Sequence, residues 1–223
     1  MMLLLLLCLL FCTTSHGAPV KLGDKALSVE LSDDSRLSSL NVDGRELLSA
    51  GQTAGLSVYD VGERRGPFPL KGRVERTQAG ATLNYNCAEL GLGVTCDVRS
   101  GQRHTIAMNI AVDDQRKVDR GITLEFALPL GNKGWTWWDD PDAGRPVEPG
   151  KQYASLARLR ELPGLPEFDN AANVSDFGSY SWYPVAAVTG KKGIGLAKPP
   201  RAAGLFRFGF DGSRGVFYCA FDF

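Results

Sequence analysis

The chain has 223 residues, with 25 Lys plus Arg against 25 Asp plus Glu, so its formal net charge at neutral pH is zero. That balance excludes the basic surplus on which nucleic-acid binding and adhesion to anionic membranes depend. Hydrophobic residues at 43% and charged residues at 22% are ordinary globular proportions, which argues against a disordered or fibrous chain, and 26 glycines with 12 prolines call for many turns.

Met1 to Cys12 is one apolar run, followed by polar Thr13, Thr14 and Ser15. Small Ser15 and Gly17 stand three and one before Ala18, so residues 1–17 read as a signal peptide cleaved after Gly17 and predict a secreted, extracellular protein. The run is shorter than the about 20 apolar residues that cross a bilayer, so no membrane span is expected after cleavage. Residues 18–223 are then expected to form a single domain.

From Leu27 onward the pattern is that of strands. Leu27, Val29 and Leu31 alternate with polar residues, Ser32-Asp33-Asp34-Ser35 turns the chain toward Leu40 and Val42, and Asp43-Gly44 turns it again. Further on, Leu83, Tyr85 and Cys87 share one parity and Val94, Cys96 and Val98 another, marking two strands around Leu90-Gly91-Leu92-Gly93. With Gly91-Leu92 as a two-residue type II′ loop, Cys87 faces Cys96 at a position where the Cα atoms approach to about 4.5 Å, and a disulfide is expected. Cys219 is then left as a buried free thiol; the alternative pairs it with either hairpin cysteine. His104 is the one histidine after the signal and reads as the solvated start of a strand, so a zinc site has too few ligands and no cofactor is called for.

Ile106, Met108, Ile110 and Val112 form a half-buried strand, as do Ile122, Leu124, Phe126 and Leu128. The next segment is the most unusual. Gly134-Trp135-Thr136-Trp137-Trp138-Asp139-Asp140-Pro141 places three of the four tryptophans beside two carboxylates. In an extended chain Trp135 and Trp137 share a face and Trp138 takes the other. Sugar rings present apolar C–H faces that stack on aromatic planes and a hydroxyl rim that needs acceptors and donors, so Trp135, Trp137, Trp138, Asp139 and Asp140 are candidate carbohydrate contacts. The competing reading makes two of the indoles core anchors and Asp-Asp-Pro a strand-terminating turn. As a glycosidase pair Asp139 and Asp140 are poorly placed, because adjacent strand residues point to opposite faces.

Asp139 to Ser179 holds five prolines and reads as one long Pro/Gly-rich loop, broken at most by a helical turn near Leu156 and Leu159. Within it Asn173-Val174-Ser175 is an acceptor sequence for N-glycosylation at Asn173. Tyr180 and Trp182 follow as a second aromatic pair that could line the same cleft, ahead of a core strand from Val185 to Val188. Phe206, Phe208 and Phe210, the turn Asp211-Gly212-Ser213, and Val216 to Phe221 make a closing hairpin. No phosphate loop and no Gly-x-Ser-x-Gly elbow is present.

The stretch from Leu27 to Leu48 resembles the first strands of galactose-mutarotase-like β-supersandwiches. Asp119 to Leu130, Gly134 to Asp140, Trp182 to Val188 and Phe217 to Phe223 are similar to segments of large secreted glycoside-hydrolase-like proteins. The resemblance implies an all-β, antiparallel β-sandwich of supersandwich type, serving as a carbohydrate-binding or carbohydrate-enzyme accessory domain whose catalytic partner domain is absent from this chain. Mutarotases work through histidines and a glutamate base that have no match here, so no catalytic residue is carried over. A glycoside-active enzyme fragment and an extracellular structural or protein-interaction domain without a sugar ligand are the two alternatives.

Overall fold

The computed structural model describes residues 19–154, 183–200 and 204–223. The expected signal peptide, the helical turn near Leu156, Asn173, Tyr180 and Trp182 lie outside the described residues. Within them the chain is all-β and antiparallel, as its alternating pattern predicts.

Local hairpins build the first half. β1 (Val20–Gly23), β2 (Leu27–Leu31), β3 (Leu37–Val42) and β4 (Arg45–Glu46) form a four-stranded meander. Asp43 and Gly44 close β3 on β4 with φ of 46° and 80°, the doubly positive geometry of a type I′ turn that Asp-Gly favours. β7 (Gly72–Thr77), β8 (Gly80–Cys87), β9 (Leu92–Ser100) and β10 (Ile106–Asp114) form a second meander. The apolar positions of β8 and β9 are buried throughout, whereas Ile106, Met108, Ile110 and Val112 on the edge strand β10 are only half-buried.

Distant segments build the second half. A six-stranded sheet runs in the order β14 (Gln152–Ala154), β17 (Leu205–Asp211), β18 (Val216–Asp222), β11 (Ile122–Pro129), β5 (Gly55–Asp60) and β6 (Arg65–Pro69). β11 lies between β18 and β5, so both its edges are hydrogen-bonded, and Ile122, Thr123 and Leu124 are all buried. A four-stranded sheet of β13 (Arg145–Pro146), β12 (Thr136–Trp138), β15 (Val185–Thr189) and β16 (Gly193–Ala197) completes the molecule.

The four sheets touch in a closed circuit. Gly23 N donates to Ser100 Oγ and Tyr85 OH to Ser35 O, joining the two meanders. Arg65 and Arg120 of the six-stranded side bind carbonyls of the β8–β9 turn, the edge of Trp137 meets Phe217, and Lys192 pairs with Asp43 to return to the first sheet. The arrangement is therefore that of a four-bladed propeller in place of the two facing sheets of the expected sandwich, although the six-stranded sheet is stitched from separate parts of the chain. Alternation along a strand determines which face is buried but not which sheet buries it, and here each meander turns a narrow face to its neighbours. The long loop is likewise shorter than expected, since β13 and β14 interrupt it, β14 pairing with β17.

The expected disulfide does not form: Cys87, Cys96 and Cys219 are all free and buried. Cys87 faces Leu92 and Cys96 faces Leu83, four residues away from Cys87 along β8. At about 3.4 Å per residue the two thiols are far beyond the roughly 7 Å Cα limit for a bridge. The loop between β8 and β9 is Ala88-Glu89-Leu90-Gly91, not Gly91-Leu92. Leu90 and Leu92 both reach zero exposure in this register, which the shorter loop would have denied Leu90 by extending β8 and giving it the outward parity of Asn84 and Asn86. Gly91 takes φ of 61° to close the turn.

That turn is held from outside by charge. Arg120, with 7% of its side chain exposed, donates to Asp60 Oδ2 at 3.0 Å, to both Asp114 oxygens at 2.8 and 2.9 Å, and to Leu90 O at 2.6 Å. Asp60 is fully buried and its other oxygen accepts Glu63 N. Arg65 and Arg116 both donate to Glu89 O. The guanidinium of Arg120 holds Asp114 below the usual carboxylate range.

Candidate functional site

The three clustered tryptophans occupy three environments. Trp137 is completely buried between β12 and the six-stranded sheet, its ring 5.8 Å from Phe217 in an edge contact, so it presents no surface to a ligand. Its indole N–H has no acceptor among the described residues. Trp135 is half-buried against the core; its Nε1 donates to Leu130 O at 3.2 Å, and its ring edge lies over Gly190.

Trp138 is different. It points to the outer side of β12, and its Nε1 donates to Thr189 Oγ1 on β15 at 2.7 Å. The register of β12 with β13 brings Gly144 across from it. A Cβ added to Gly144 would stand 2.6, 2.7 and 2.8 Å from Cη2, Cζ2 and Cζ3, three consecutive atoms of the six-membered ring. A point nearly equidistant from three such atoms lies over the ring face, not beyond its edge. The indole therefore rests one face on a glycine that has no side chain to displace it and is fixed at the pyrrole by a threonine. The residue stays partly exposed.

The carboxylates beside it are engaged. Asp139 accepts two contacts of 2.8 Å from Arg145 Nη2, with 17% of the aspartate and 49% of the arginine side chain exposed. The guanidinium of Arg145 also sits 5.9 Å over the Tyr153 ring, and Tyr153 OH donates to Pro146 O at 2.7 Å, which anchors β13. Asp140 accepts the N–H of Asp142 at 2.9 Å and so shapes the turn back to β13. Trp138, Asp139, Asp140 and Arg145 thus share one hairpin end, but Arg145, paired with Trp137 across β12 and β13, stands with Asp139 on the face opposite Trp138.

Sequence reasoning placed Trp137 and Trp138 on opposite faces, as observed, but it did not find Gly144, Arg145 or Thr189. The signal for the first two was present: Gly144-Arg145-Pro146 is the return strand of a hairpin, hidden by its prolines inside a stretch that reads as loop. Thr189 has no local signal. Among the described residues no group of three or more His, Cys, Asp or Glu side chains is placed to hold a metal ion. His104, exposed as expected, binds Asp24 at 2.7 Å and staples the β9–β10 loop to the β1–β2 turn. No protein-family model matches the chain, and no curated protein matches it.

Proposed function

We propose that the protein is a secreted carbohydrate-binding domain whose ligand surface is centred on Trp138 at the outer face of β12. The observation that carries this reading is the posture of Trp138, an aromatic plane that is partly exposed and held at both ends before any ligand arrives. A sugar ring stacking there buries its C–H face against the indole without first having to order a mobile side chain. Asp139 is tied to Arg145 and Asp140 to its own turn, which leaves neither placed for proton transfer. The reading rests on this surface and does not depend on the resemblance to mutarotase-like domains.

A glycan array probed with the protein lacking residues 1–17 tests it. Retention of glycan by the parent and at least about tenfold weaker retention by Trp138→Ala, with a melting shift of only a few degrees, is expected. An array with no retained glycan, or a Trp138→Ala protein that binds like the parent, overturns it.

A further inference from the structure

Each of the four sheets ends in two edge strands, and among the described residues all of these but one are blunted. β1, β4, β13 and β14 have four residues or fewer. β6 carries Pro67 and Pro69, β7 carries Arg73, Glu75 and Arg76, and β16 has five residues of which two are glycine. β10 is the exception. It is nine residues long, pairs with β9 over its whole length without a bulge, and holds neither charge nor proline from Ile106 to Val112. An edge of that kind is a template for another strand, and natural sheets avoid leaving one bare.

The backbone of β10 shows which groups are unused. Gly101 N donates to Thr105 O at 2.7 Å and Gln115 N to Gly91 O at 3.0 Å, so in this register the odd-numbered residues bond to β9. The N–H and C=O groups of Ile106, Met108, Ile110 and Val112 point the other way, and they bind no other strand or loop among the described residues. The side chains of the same residues are incompletely covered. Leu83, Cys96 and Ile110 stand in one row across β8, β9 and β10, with 2% and 0% exposure at the first two and Ile110 only half-buried. The apolar face therefore runs past its cover at β10.

We propose that β10 pairs antiparallel with β10 of a second copy of this chain, about a two-fold axis at Asn109. The strand is its own complement about that residue, as an isologous contact requires. Ile106 faces Val112 of the copy, Met108 faces Ile110 and Ala107 faces Ala111, so apolar side chains meet apolar ones and small outward ones meet their equals. Asp113 and Asp114 come opposite Thr105 and His104, and no like charges are opposed. Moving the axis by one residue spoils the match: at Ile110 it sets Ile106 against Asp114, and at Met108 it sets Val112 against His104. The residues that face one another with the axis at Asn109, Ile106 with Val112 and Met108 with Ile110, are also those whose free N–H and C=O groups point outward, so these groups pair with their counterparts in the copy. Asn109 stands at a non-hydrogen-bonded position, where Cα atoms approach to about 4.5 Å, and its amide meets its twin with a donor and an acceptor each. The proposal is independent of the carbohydrate reading, since Trp138 belongs to another sheet.

Sedimentation velocity of the chain lacking residues 1–17, run as a concentration series, tests it. One strand edge buries less than a standard interface, so a monomer–dimer equilibrium with a micromolar dissociation constant is expected. Asn109→Lys sets two like charges face to face and should weaken the dimer about tenfold or more, while the melting temperature of dilute protein stays unchanged because Asn109 is exposed. Asn109→Asp should act in the same way, and an equimolar mixture of the two variants should associate at least as well as the parent, because position 109 faces itself. Cross-linking reads the register. Under mild oxidation Asn109→Cys should link to its own kind, and Ala107→Cys only when mixed with Ala111→Cys, while the three native thiols are buried and take no part. A parent chain that stays monomeric throughout the series overturns the proposal, as does a dimer indifferent to Asn109→Lys or a charge-swapped mixture that stays monomeric. A link between positions 109 and 111 would place the axis at Ile110 and overturn it too.

Discussion

Trp137 fills the space between two sheets, while Trp138 one residue later rests on a glycine at the surface, and the two should respond oppositely to truncation. Trp137→Ala removes a fully buried indole and leaves a cavity, a change that costs about 3–5 kcal/mol. Trp137→Phe keeps the edge contact with Phe217 and deletes an N–H that has no acceptor among the described residues, so it should cost less than half as much. Urea unfolding of both variants measures the difference, and equal losses would show that ring volume recovers nothing and that the indole N–H matters. The parity of the sequence showed that the two indoles face opposite ways, but parity has no sign: Asp-Asp-Pro after Trp138 fits either a binding rim or a turn, and only Phe217, some eighty positions on, decides which face is inside. The thiols obey the same logic. Burial pushes Cys96 and Cys219 up to about 12, and it raises Cys87 as well. A thiol reagent at neutral pH should therefore label none of the three in the native protein and all three after denaturation without reductant. A disulfide-linked pair on non-reducing peptide mapping is not expected, and a Cys87–Cys96 linked peptide would show the β8–β9 register to be other than described.

Between β8 and β9 the sequence made the strands and their inward faces readable, and the register was lost in the turn. Two glycines flank Leu92, and glycine at either position is compatible with a hairpin; what selects the four-residue loop is Leu90 entering the core and three arginines from β6 and the β10–β11 connection binding the carbonyls of Glu89 and Leu90. Those arginines are more than twenty residues away from the turn, so no local pattern reports them. The dependence is testable at Arg120. Its removal leaves Asp60 fully buried and without its guanidinium partner, and breaking one partner of such a pair costs about 3–5 kcal/mol. Arg120→Ala should therefore lower stability by that order, and Arg120→Ala combined with Asp60→Asn should recover part of the loss. Chemical denaturation of the two single variants and the double gives the coupling. Strictly additive losses would mean that Arg120 acts through the Leu90 carbonyl and not through Asp60.

At the scale of the whole molecule, the all-β class was legible because alternation and turn residues are local, and the ring of four sheets was not, because it depends on β11 pairing with β5 and β18, whose partner residues such as Asp60 with Ile122 and Val216 with Pro129 lie far apart in the chain. The contacts that close the ring are largely polar, and that gives the molecule a stability bounded in pH on both sides. On the acid side, Asp24 is drawn down to about 2 by the Leu27 backbone N–H, then by His104 and the Ala26 N–H, and Asp114 is lowered by Arg120. Glu46 is also lowered, burial working against the Ser39, Leu40 and Leu48 hydrogen bonds and losing to them. A carboxylate held below its unfolded value stabilises the fold above that value, near 4, and the contribution is lost as pH falls toward the folded value. On the alkaline side, Cys96 and Cys219 are held near 12 by burial, so unfolded thiols ionise first and stability declines as pH rises from about 9 toward 12. The melting temperature should be flat between roughly pH 5 and 8.5 and fall on both sides. Asp114→Asn should lose stability at neutral pH and show a shallower acid limb, while Cys96→Ala should make the alkaline limb shallower without touching the acid one. A thermal scan across this range reads each limb separately. An acid limb unchanged by Asp114→Asn would remove the Arg120 pair from the set of contacts that close the ring.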